Sequence, residues 1–432
     1  MKDIPPAARA VAASLLDDVL NHRRLLDDAL DAEPKVAALA GRDRAFARLL
    51  AATTLRRLGQ IDALIALSVE KKLPVKAAGA LQALRLGVCQ LLFLDTPPHA
   101  AISTSVELLK HGPMGGYAGL VNAVLRRLDR EGRDLVAGQD AARLNTPDWM
   151  WMSWLHAYGE ETARAIATAH LREAPTDITT AGDRALWAER LEAELLPTGS
   201  LRRQLPGDIT ALPGFAEGAW WIQDAAAALP AHLFGAVDGR RVVDLCAAPG
   251  GKALQLAAAG AQVTALDRSG KRLRRLGANL ARLGLAAEIV EADATTWRPE
   301  GDFDAVLLDA PCSATGTLRR HPDGLWLKSP ADVTKLAALQ GRLLTAAAAL
   351  LRPGGTLVYC VCSLEPEEGI AQIKALLAAD IPLARAPIRA EEVGGLAELI
   401  TPDGDLRTLP CHLAERGGMD AFFAARLVRL PN

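Results

Sequence analysis

Apolar positions recur at helical spacing through the first third of the chain. Ala10, Leu15, Leu16 and Val19 form the first stripe, behind a Pro5-Pro6 pair suited to opening a helix. The same period returns at Asp43–Leu58, Ile61–Leu67, Val75–Leu94, Ala101–Leu109 and Gly119–Leu128. Pro97-Pro98 and the Gly112–Gly116 stretch punctuate it, and no alternating strand pattern intervenes before about Arg133. Periodicity lapses near Asp134–Pro147 and resumes in a Trp-rich helix (Trp149, Trp151, Trp154, Tyr158), whose aromatics read as core packing. A mixed stretch to about Phe234 follows, with strands expected at Asp177–Thr180 and Ile209–Leu212 and a helix at Ala185–Leu195.

From Arg240 the pattern changes. Short apolar runs at Val242–Leu245, Val263–Asp267, Glu288–Glu291, Ala305–Asp309 and Thr356–Cys360 alternate with helical segments such as Lys271–Leu283 and Asp332–Leu350. Strands alternating with helices of that length predict a parallel, doubly wound sheet. The expected organisation is therefore an all-helical domain over residues 1–135, a linker helix and small mixed α/β region over 136–235, and an α/β Rossmann-like domain over 236–432.

Composition narrows this little. Half of the 432 residues are hydrophobic and only 4% aromatic, so cores of Ala, Leu and Val are expected. A formal net charge of −2 gives no global argument for nucleic acid, so any RNA contact must come from local basic faces. The six cysteines form no paired ladder, which points to reduced thiols and a cytoplasmic protein rather than a disulfide-stapled secreted one. The N-terminus lacks the apolar run of a signal peptide, and no uncharged stretch approaches the ~20 residues needed to span a bilayer. A monomer without metal or membrane association is expected.

The candidate chemistry lies at the carboxyl ends of the predicted strands, where open parallel sheets hold ligands. The first strand runs into Asp244-Leu245-Cys246-Ala247-Ala248-Pro249-Gly250-Gly251-Lys252, a small-residue turn that lets backbone approach a ligand. Asp267 closes the second strand, 23 positions after Asp244, where its carboxylate can accept both hydroxyls of a ribose. Asp293 closes the third and can accept from an adenine amino group. The G-x-G-x-x-G spacing of a dinucleotide site is absent, and Lys252 is followed by Ala253 rather than the Ser or Thr of a P-loop. An adenosine with an uncharged linker, such as S-adenosylmethionine, suits the turn better than NAD or ATP.

The fourth strand runs into Asp309-Ala310-Pro311-Cys312-Ser313 and the fifth into Tyr359-Cys360-Val361-Cys362-Ser363, which delivers two cysteines to the cofactor edge. Cys89, Cys246 and Cys411 read as small buried hydrophobes, whereas Cys312 and Cys362 face the expected cleft. A zinc site is the weaker reading, because C-x-C with one distant cysteine lacks paired ligands. A methyl donor beside a thiol has a chemical rationale. Carbon 5 of a pyrimidine is a poor nucleophile until a thiolate adds at carbon 6 and makes an enamine. An acid at N3 helps the addition, and a base must later remove the carbon-5 proton.

Asp309–Cys312 and Cys362-Ser363 resemble the paired motifs of the RNA cytosine-C5 methyltransferases. The wider chain resembles their bacterial RsmB (Sun) branch, which modifies small-subunit ribosomal RNA. Asp244–Lys252 resembles the family's cofactor loop, and Arg319-Arg320-His321-Pro322-Asp323 with Trp326 a stretch typical of the branch. Gln223-Asp224 matches the start of its pre-Rossmann motif and Met419–Arg426 its last strand. Val121-Asn122-Ala123-Val124-Leu125-Arg126-Arg127 is similar to NusB-type RNA-binding domains. The resemblance implies an all-α NusB-like domain followed by a class I S-adenosylmethionine-dependent methyltransferase domain, with S-adenosylhomocysteine as product. It implies Cys362 as nucleophile, Cys312 as the residue assisting product release, and Asp309 as the residue holding the base. It further implies cofactor contacts from Asp244, Cys246, Ala247, Ala248, Pro249, Gly250, Gly251, Lys252, Asp267, Arg272, Asp293 and Asp309. Two positions depart from the family: Val361 stands where Thr usually precedes the nucleophile, and Ala253 where Thr is common. Cys360 is extra and is expected to pack in its strand.

Basic residues cluster at Arg42, Arg44, Arg48, Arg56 and Arg57, and at Lys271, Arg272, Arg274 and Arg275, where a solvated helix face is as good a reading as RNA contact. Arg319, Arg320 and His321 follow the Cys312 motif closely and are expected to grip phosphates beside the target base. Rival readings are the same chemistry on transfer RNA, a non-catalytic RNA-binding or antitermination factor, and a Rossmann oxidoreductase. Retention of both cysteines and Asp309 argues against the second, and the missing dinucleotide fingerprint against the third.

Overall fold

The computed structural model describes residues 7–110, 112–204 and 209–431; the expected Pro5-Pro6 helix opening lies outside them. The chain forms two compact units, one running to Glu173 and taking in Leu318–Lys328, the other comprising Ala174–Thr317 and Ser329–Asn432.

The first unit is helical. Its main helices are Ala7–Leu20, Gly41–Arg56, Leu58–Ser68, Ala78–Leu92, Pro98–Lys110 and Ala118–Ala137, each turning an apolar stripe inward. Leu15, Leu16, Leu50, Leu55, Leu84 and Leu128 are fully buried in one core. Two short helices, Leu26–Ala32 and Pro34–Ala37, escape the periodicity because each is too brief to show a repeat. The boundary expected at residue 135 falls inside the helix Ala118–Ala137. Ala141–Leu144, Asp148–Tyr158 and Glu160–His170 continue the same unit, with Trp151 and Trp154 buried.

Leu318–Lys328 is held in this unit by polar contacts. Leu26 N donates to Asp323 Oδ2 at 3.0 Å, and Trp326 Nε1 to the Leu55 carbonyl at 2.8 Å. Arg56 donates to the Arg319 carbonyl at 2.8 Å, and Arg23 to that of Leu327 at 2.6 Å. Arg319 is thereby corrected as a phosphate ligand: its side chain is only 1% exposed and is buried as a packing element. His321 remains exposed, 3.5 Å from Asp27. Of the first basic cluster, Arg42, Arg44 and Arg48 are exposed while Arg56 is buried.

The second unit contains two sheets. Strands β1 (Thr176–Thr180), β2 (Glu194–Leu195), β3 (Leu201–Arg203) and β4 (Trp220–Ile222) form a small antiparallel sheet in the order β2-β3-β1-β4. The strand expected at Ile209–Leu212 is instead a 3-10 turn over Ile209–Ala211, followed by Pro213, whose carbonyl accepts from Trp220 Nε1. The aromatic Trp220-Trp221 pair takes the strand position. The helix expected at Ala185–Leu195 stops at Arg190, because Glu192 turns at φ +50° and Glu194–Leu195 joins the sheet. Arg202 and Asp177 pair bidentately across β3 and β1 at 2.7 Å, with both side chains fully buried. Arg202 also donates to the Gly418 carbonyl at 2.6 Å, and Asp177 accepts from Ala225 N at 3.0 Å.

The larger sheet carries β5 (Arg241–Leu245), β6 (Gln262–Asp267), β7 (Glu288–Glu291), β8 (Phe303–Asp309), β9 (Leu351–Val361), β10 (Leu383–Arg385), β11 (Leu406–Thr408) and β12 (Phe422–Arg429). Its order is β10-β12-β9-β8-β5-β6-β7, with β11 also paired to β12. The five strands β5 to β9 run parallel as expected. The sheet as a whole is mixed, because β12 joins β9 antiparallel and β10 and β11 join β12 likewise. Antiparallel addition needs no crossover helix, so the apolar alternation that announces a parallel unit does not report it. Strand order reverses between β5 and β8, which opens a crevice at their carboxyl ends.

Removing one partner of a buried ion pair strands the other charge. Asp177→Ala is expected to lower the denaturation free energy of this unit by about 3–5 kcal/mol. Chemical denaturation followed by tryptophan fluorescence checks this; a loss near zero would show that Arg202 repartners without cost.

Candidate active site

Each strand of the crevice contributes one part of the site. β5 ends in a turn where Cys246 adopts φ +65° and Gly250 φ +121°. The left-handed region costs a residue such as cysteine about 1–3 kcal/mol, and is maintained only where surroundings over-determine it. Asp267, at the end of β6, supplies that constraint. Its Oδ2 accepts from Ala248 N at 3.2 Å and its Oδ1 from Ser269 N at 2.9 Å. Arg272 completes the tie, with Nη1 3.3 Å from Asp267 and Nη2 bonded to the Ala248 carbonyl.

β8 and β9 pair in parallel with Asp309 opposite Cys360. Asp309 receives the Lys252 ammonium at 2.8 Å, and the Cys360 thiol lies 3.5 Å from its other oxygen. Burial works against the Lys252 charge, but Asp309, Cys360 and Asp244 together outweigh it and hold the ammonium above its ordinary pKa. Lys252 also stands 4.7 Å over the Phe422 ring. Burial, then the Asp309 charge, pushes the Asp244 carboxyl well above its ordinary range. Its Oδ1 has no hydrogen-bond partner among the described residues.

Beyond these strands the two cysteines meet. Cys312 Sγ lies 3.4 Å from Cys362 Sγ. The hydrogen bond to Cys362, burial and the charge on Cys362 together push the Cys312 thiol well up. Burial and Asp309 push Cys246 to about 12, and burial pushes Cys360 well up. The loops carrying Cys312 and Cys362 touch through backbone: Gly316 N donates to the Cys362 carbonyl at 3.0 Å. A side chain at Gly316 would meet the Ala421 carbonyl oxygen at 2.3 Å, so only glycine permits this approach.

One cleft of about 260 Å³ collects Cys246, Asp267, Arg272, Asp293, Asp309, Cys312 and Cys362. Asp293 lies two residues beyond β7 rather than at its end, with its Oδ1 engaged by Thr295 N at 2.8 Å. Asp244, Ala247, Ala248, Pro249, Gly250, Gly251 and Lys252 are not in the lining. They shape the turn, and Lys252 among them holds Asp309. Arg320 and His321 belong to the other compact unit.

Several contributors carry no sequence signal of their own. Leu339 and Leu343, from the helix Pro330–Ala349, form an apolar wall, and Arg268 adds a cation. Ser313, Ser363, Gln340 and the fully buried Glu368 form a polar network behind the cysteines. The repeated Cys-Ser pair was the available clue; Glu368 is hidden in the acidic run Glu365-Pro366-Glu367-Glu368. Among the described residues no group of three or more His, Cys, Asp or Glu could hold a metal ion, and no helix is long and apolar enough to cross a membrane.

The donor set suits an adenosine cofactor. Asp267 is a buried carboxylate whose Oδ1, with Ser269 N as its one partner, keeps a second lone pair for a ribose hydroxyl. Leu266, Ala292, Ala294, Leu339 and Leu343 give the same cleft apolar lining suited to a base, and Asp293 lines it with them.

Comparison with known proteins agrees. The chain matches the family model for 16S rRNA methyltransferase RsmB/F over residues 231–428 and the NusB family over residues 6–130. It is 38% identical over 445 residues to ribosomal RNA small subunit methyltransferase B of Pseudomonas putida, covering 98% of both chains. It is 35% identical over 443 residues to the protein of that name from Salmonella arizonae, again covering 98% of each. The solved protein PH0851 shares the fold, with TM-score 0.76 at 22% identity over 98% of this chain and 99% of its own. A methyltransferase homolog from Pyrococcus horikoshii aligns with TM-score 0.54 at 26% identity, over 66% of this chain and 100% of that one. The chain belongs to the 16S rRNA methyltransferase RsmB/F family, carries an N-terminal NusB domain, and is an S-adenosylmethionine-dependent RNA methyltransferase.

Proposed function

We propose that the enzyme methylates carbon 5 of a cytosine in small-subunit ribosomal RNA, in the cytoplasm, through a covalent bond between Cys362 and carbon 6. The observation that carries this reading is the pair of cysteines 3.4 Å apart in a cleft shared with Asp309 and Asp267. A transferase acting on an amine or hydroxyl has no use for a thiol at that point. S-adenosylmethionine, when bound, supplies an electrophilic methyl group and leaves as S-adenosylhomocysteine.

Asp267 binds the cofactor ribose and Asp293 its adenine, with Cys246 and Arg272 completing the seat and the Ala247–Lys252 turn shaping it from outside the lining. Asp309, fixed by Lys252 at 2.8 Å, holds the target base by accepting from its exocyclic amino group. The Cys362 thiolate adds to carbon 6, and the electron pair displaced toward carbon 5 makes that carbon nucleophilic. Cys312 begins as the protonated partner, a donor to the Cys362 sulfur. Once Cys362 is bonded to carbon, its charge and its hydrogen bond to Cys312 are gone, and these are two of the causes that raise the Cys312 thiol. Cys312 can then release its thiol proton to solvent and, as the thiolate, take the carbon-5 proton, so that the bond from carbon 6 to Cys362 breaks and the Cys362 thiolate is regenerated.

The NusB domain, with exposed Arg42, Arg44 and Arg48, and with Arg320 and His321, serves as the RNA-holding element. The target cytosine must be unstacked to enter the cleft.

Tritiated methyl transfer to unmodified small-subunit ribosomal RNA, resolved on denaturing gels, tests the roles. Wild type is expected to label carbon 5 of cytosine. Cys362→Ala should abolish labelling, and Cys312→Ala should accumulate a protein–RNA adduct. Label without any adduct in Cys312→Ala would remove Cys312 from the release step. Asp309→Asn, which cancels the charge facing Lys252, is expected to lower kcat on the order of 100-fold or more. Steady-state kinetics check that figure, and unchanged turnover would take Asp309 out of the mechanism.

A further inference from the structure

Behind the two cysteines lies a carboxylate that the reaction does not consume. Glu368 is fully buried, and its partners belong to both cysteine loops. Oε1 accepts from Ser313 N at 2.8 Å and from Gln340 Nε2 at 3.1 Å. Oε2 accepts from the Ser313 hydroxyl at 2.5 Å and the Ser363 hydroxyl at 2.6 Å. Ser313 directly follows Cys312, and Ser363 directly follows Cys362. Gln340 extends the reach, donating also to the Pro311 carbonyl at 2.9 Å, immediately before Cys312. The clamp is itself anchored, since the Tyr359 hydroxyl on β9 donates to the Glu368 carbonyl at 2.5 Å.

A buried carboxylate met by neutral donors is a costly element of a core, and loops are ordinarily tied by backbone bonds alone. Its position suggests what compensates. We propose that Glu368 is a positioning residue, whose carboxylate ties the loop of Cys312 to the loop of Cys362 and so fixes the separation of the two sulfurs. The inference rests on the reading of Cys312 and Cys362 as the reacting pair. Release requires a base held at carbon 5, next to the carbon 6 that Cys362 attacks, and a displacement near 1 Å is enough to cost about 100-fold in rate. The charge of Glu368 also helps to raise the Cys312 thiol, which favours donation toward Cys362 in the resting enzyme.

The test compares full-length wild type, Glu368→Ala, Glu368→Gln and Ser363→Ala by two readouts. One is kcat against KM for ribosomal RNA, with S-adenosylmethionine affinity by calorimetry. The other is the rate at which diamide, accepting two electrons and two protons, converts Cys312 and Cys362 to a disulfide mapped by mass spectrometry. Glu368→Ala is expected to lose about 100-fold in kcat with KM and cofactor affinity unchanged, and to slow disulfide formation in parallel. Glu368→Gln, which keeps the shape and one acceptor oxygen, should recover most of both. If Glu368→Ala does not fold, Ser363→Ala decides the question, because it removes one arm of the clamp and no charge. Wild-type kcat and oxidation rate in the Ala variant, or loss of kcat with an unchanged oxidation rate, would overturn the proposal. A wild type that methylates no RNA would instead fail the underlying reading, and the oxidation rates would then judge the clamp alone.

Discussion

Parallel pairing of β8 with β9 is the constraint from which the site follows. Leu308 stands opposite Tyr359 and Asp309 opposite Cys360, so both chains leave the sheet at the same level and carry Cys312 and Cys362 into one space. Register in a sheet buried on both faces is strongly specified, because a slip by one residue would turn every side chain to the opposite face. Here Leu307 and Val358 pack on one side, and Leu308 and Tyr359 on the other, all fully buried. The same slip would carry Asp309 away from Lys252. Sheet packing therefore sets the catalytic distances before any polar contact refines them.

The polar contacts then divide into two groups. Lys252 and Asp244, buried under the cofactor turn, form a set with Asp309 at the cleft wall, in which one ammonium serves carboxyl groups that repel one another. Glu368 with Ser313, Ser363 and Gln340 forms a second set with neutral donors under the cysteine loops. Charge in the first set orients an acceptor toward substrate. In the second it joins two loops that also meet through the bonds from Gly316 N to the Cys362 carbonyl and from Leu364 N to Thr315 Oγ1. Apart from Asp309, which lines the cleft, both sets lie beneath its surface, where solvent competes least with them.

Much of this was legible from residues alone, for physical reasons. Parallel strands are continuous apolar runs with ligands at their carboxyl ends, so the positions of Asp267, Asp309, Cys312 and Cys362 could be read from period and punctuation. What stayed hidden depends on tertiary placement. The run Glu365-Pro366-Glu367-Glu368 carries no period that separates its acids, yet Glu367 is exposed while Glu368 is buried. Arg319 reads as a phosphate ligand beside the active-site loop, but Leu318–Lys328 packs into the helical unit and buries it. Ile209–Leu212 has strand-like composition, but Pro213-Gly214 stops it, and Trp220-Trp221 provides larger buried surfaces for the small sheet. Each miss is a case where local pattern lost to a contact made by residues distant in sequence.

The central claim is that Cys362, and not its neighbour 3.4 Å away, forms the bond to the base. An RNA carrying 5-fluorocytosine tests it most directly, since fluorine at carbon 5 leaves no proton to remove and the adduct cannot resolve. Digestion and mass spectrometry of wild-type enzyme incubated with that RNA and S-adenosylmethionine should find the modified nucleotide on Cys362. A cross-link on Cys312, or none while native RNA is still methylated, would contradict the account.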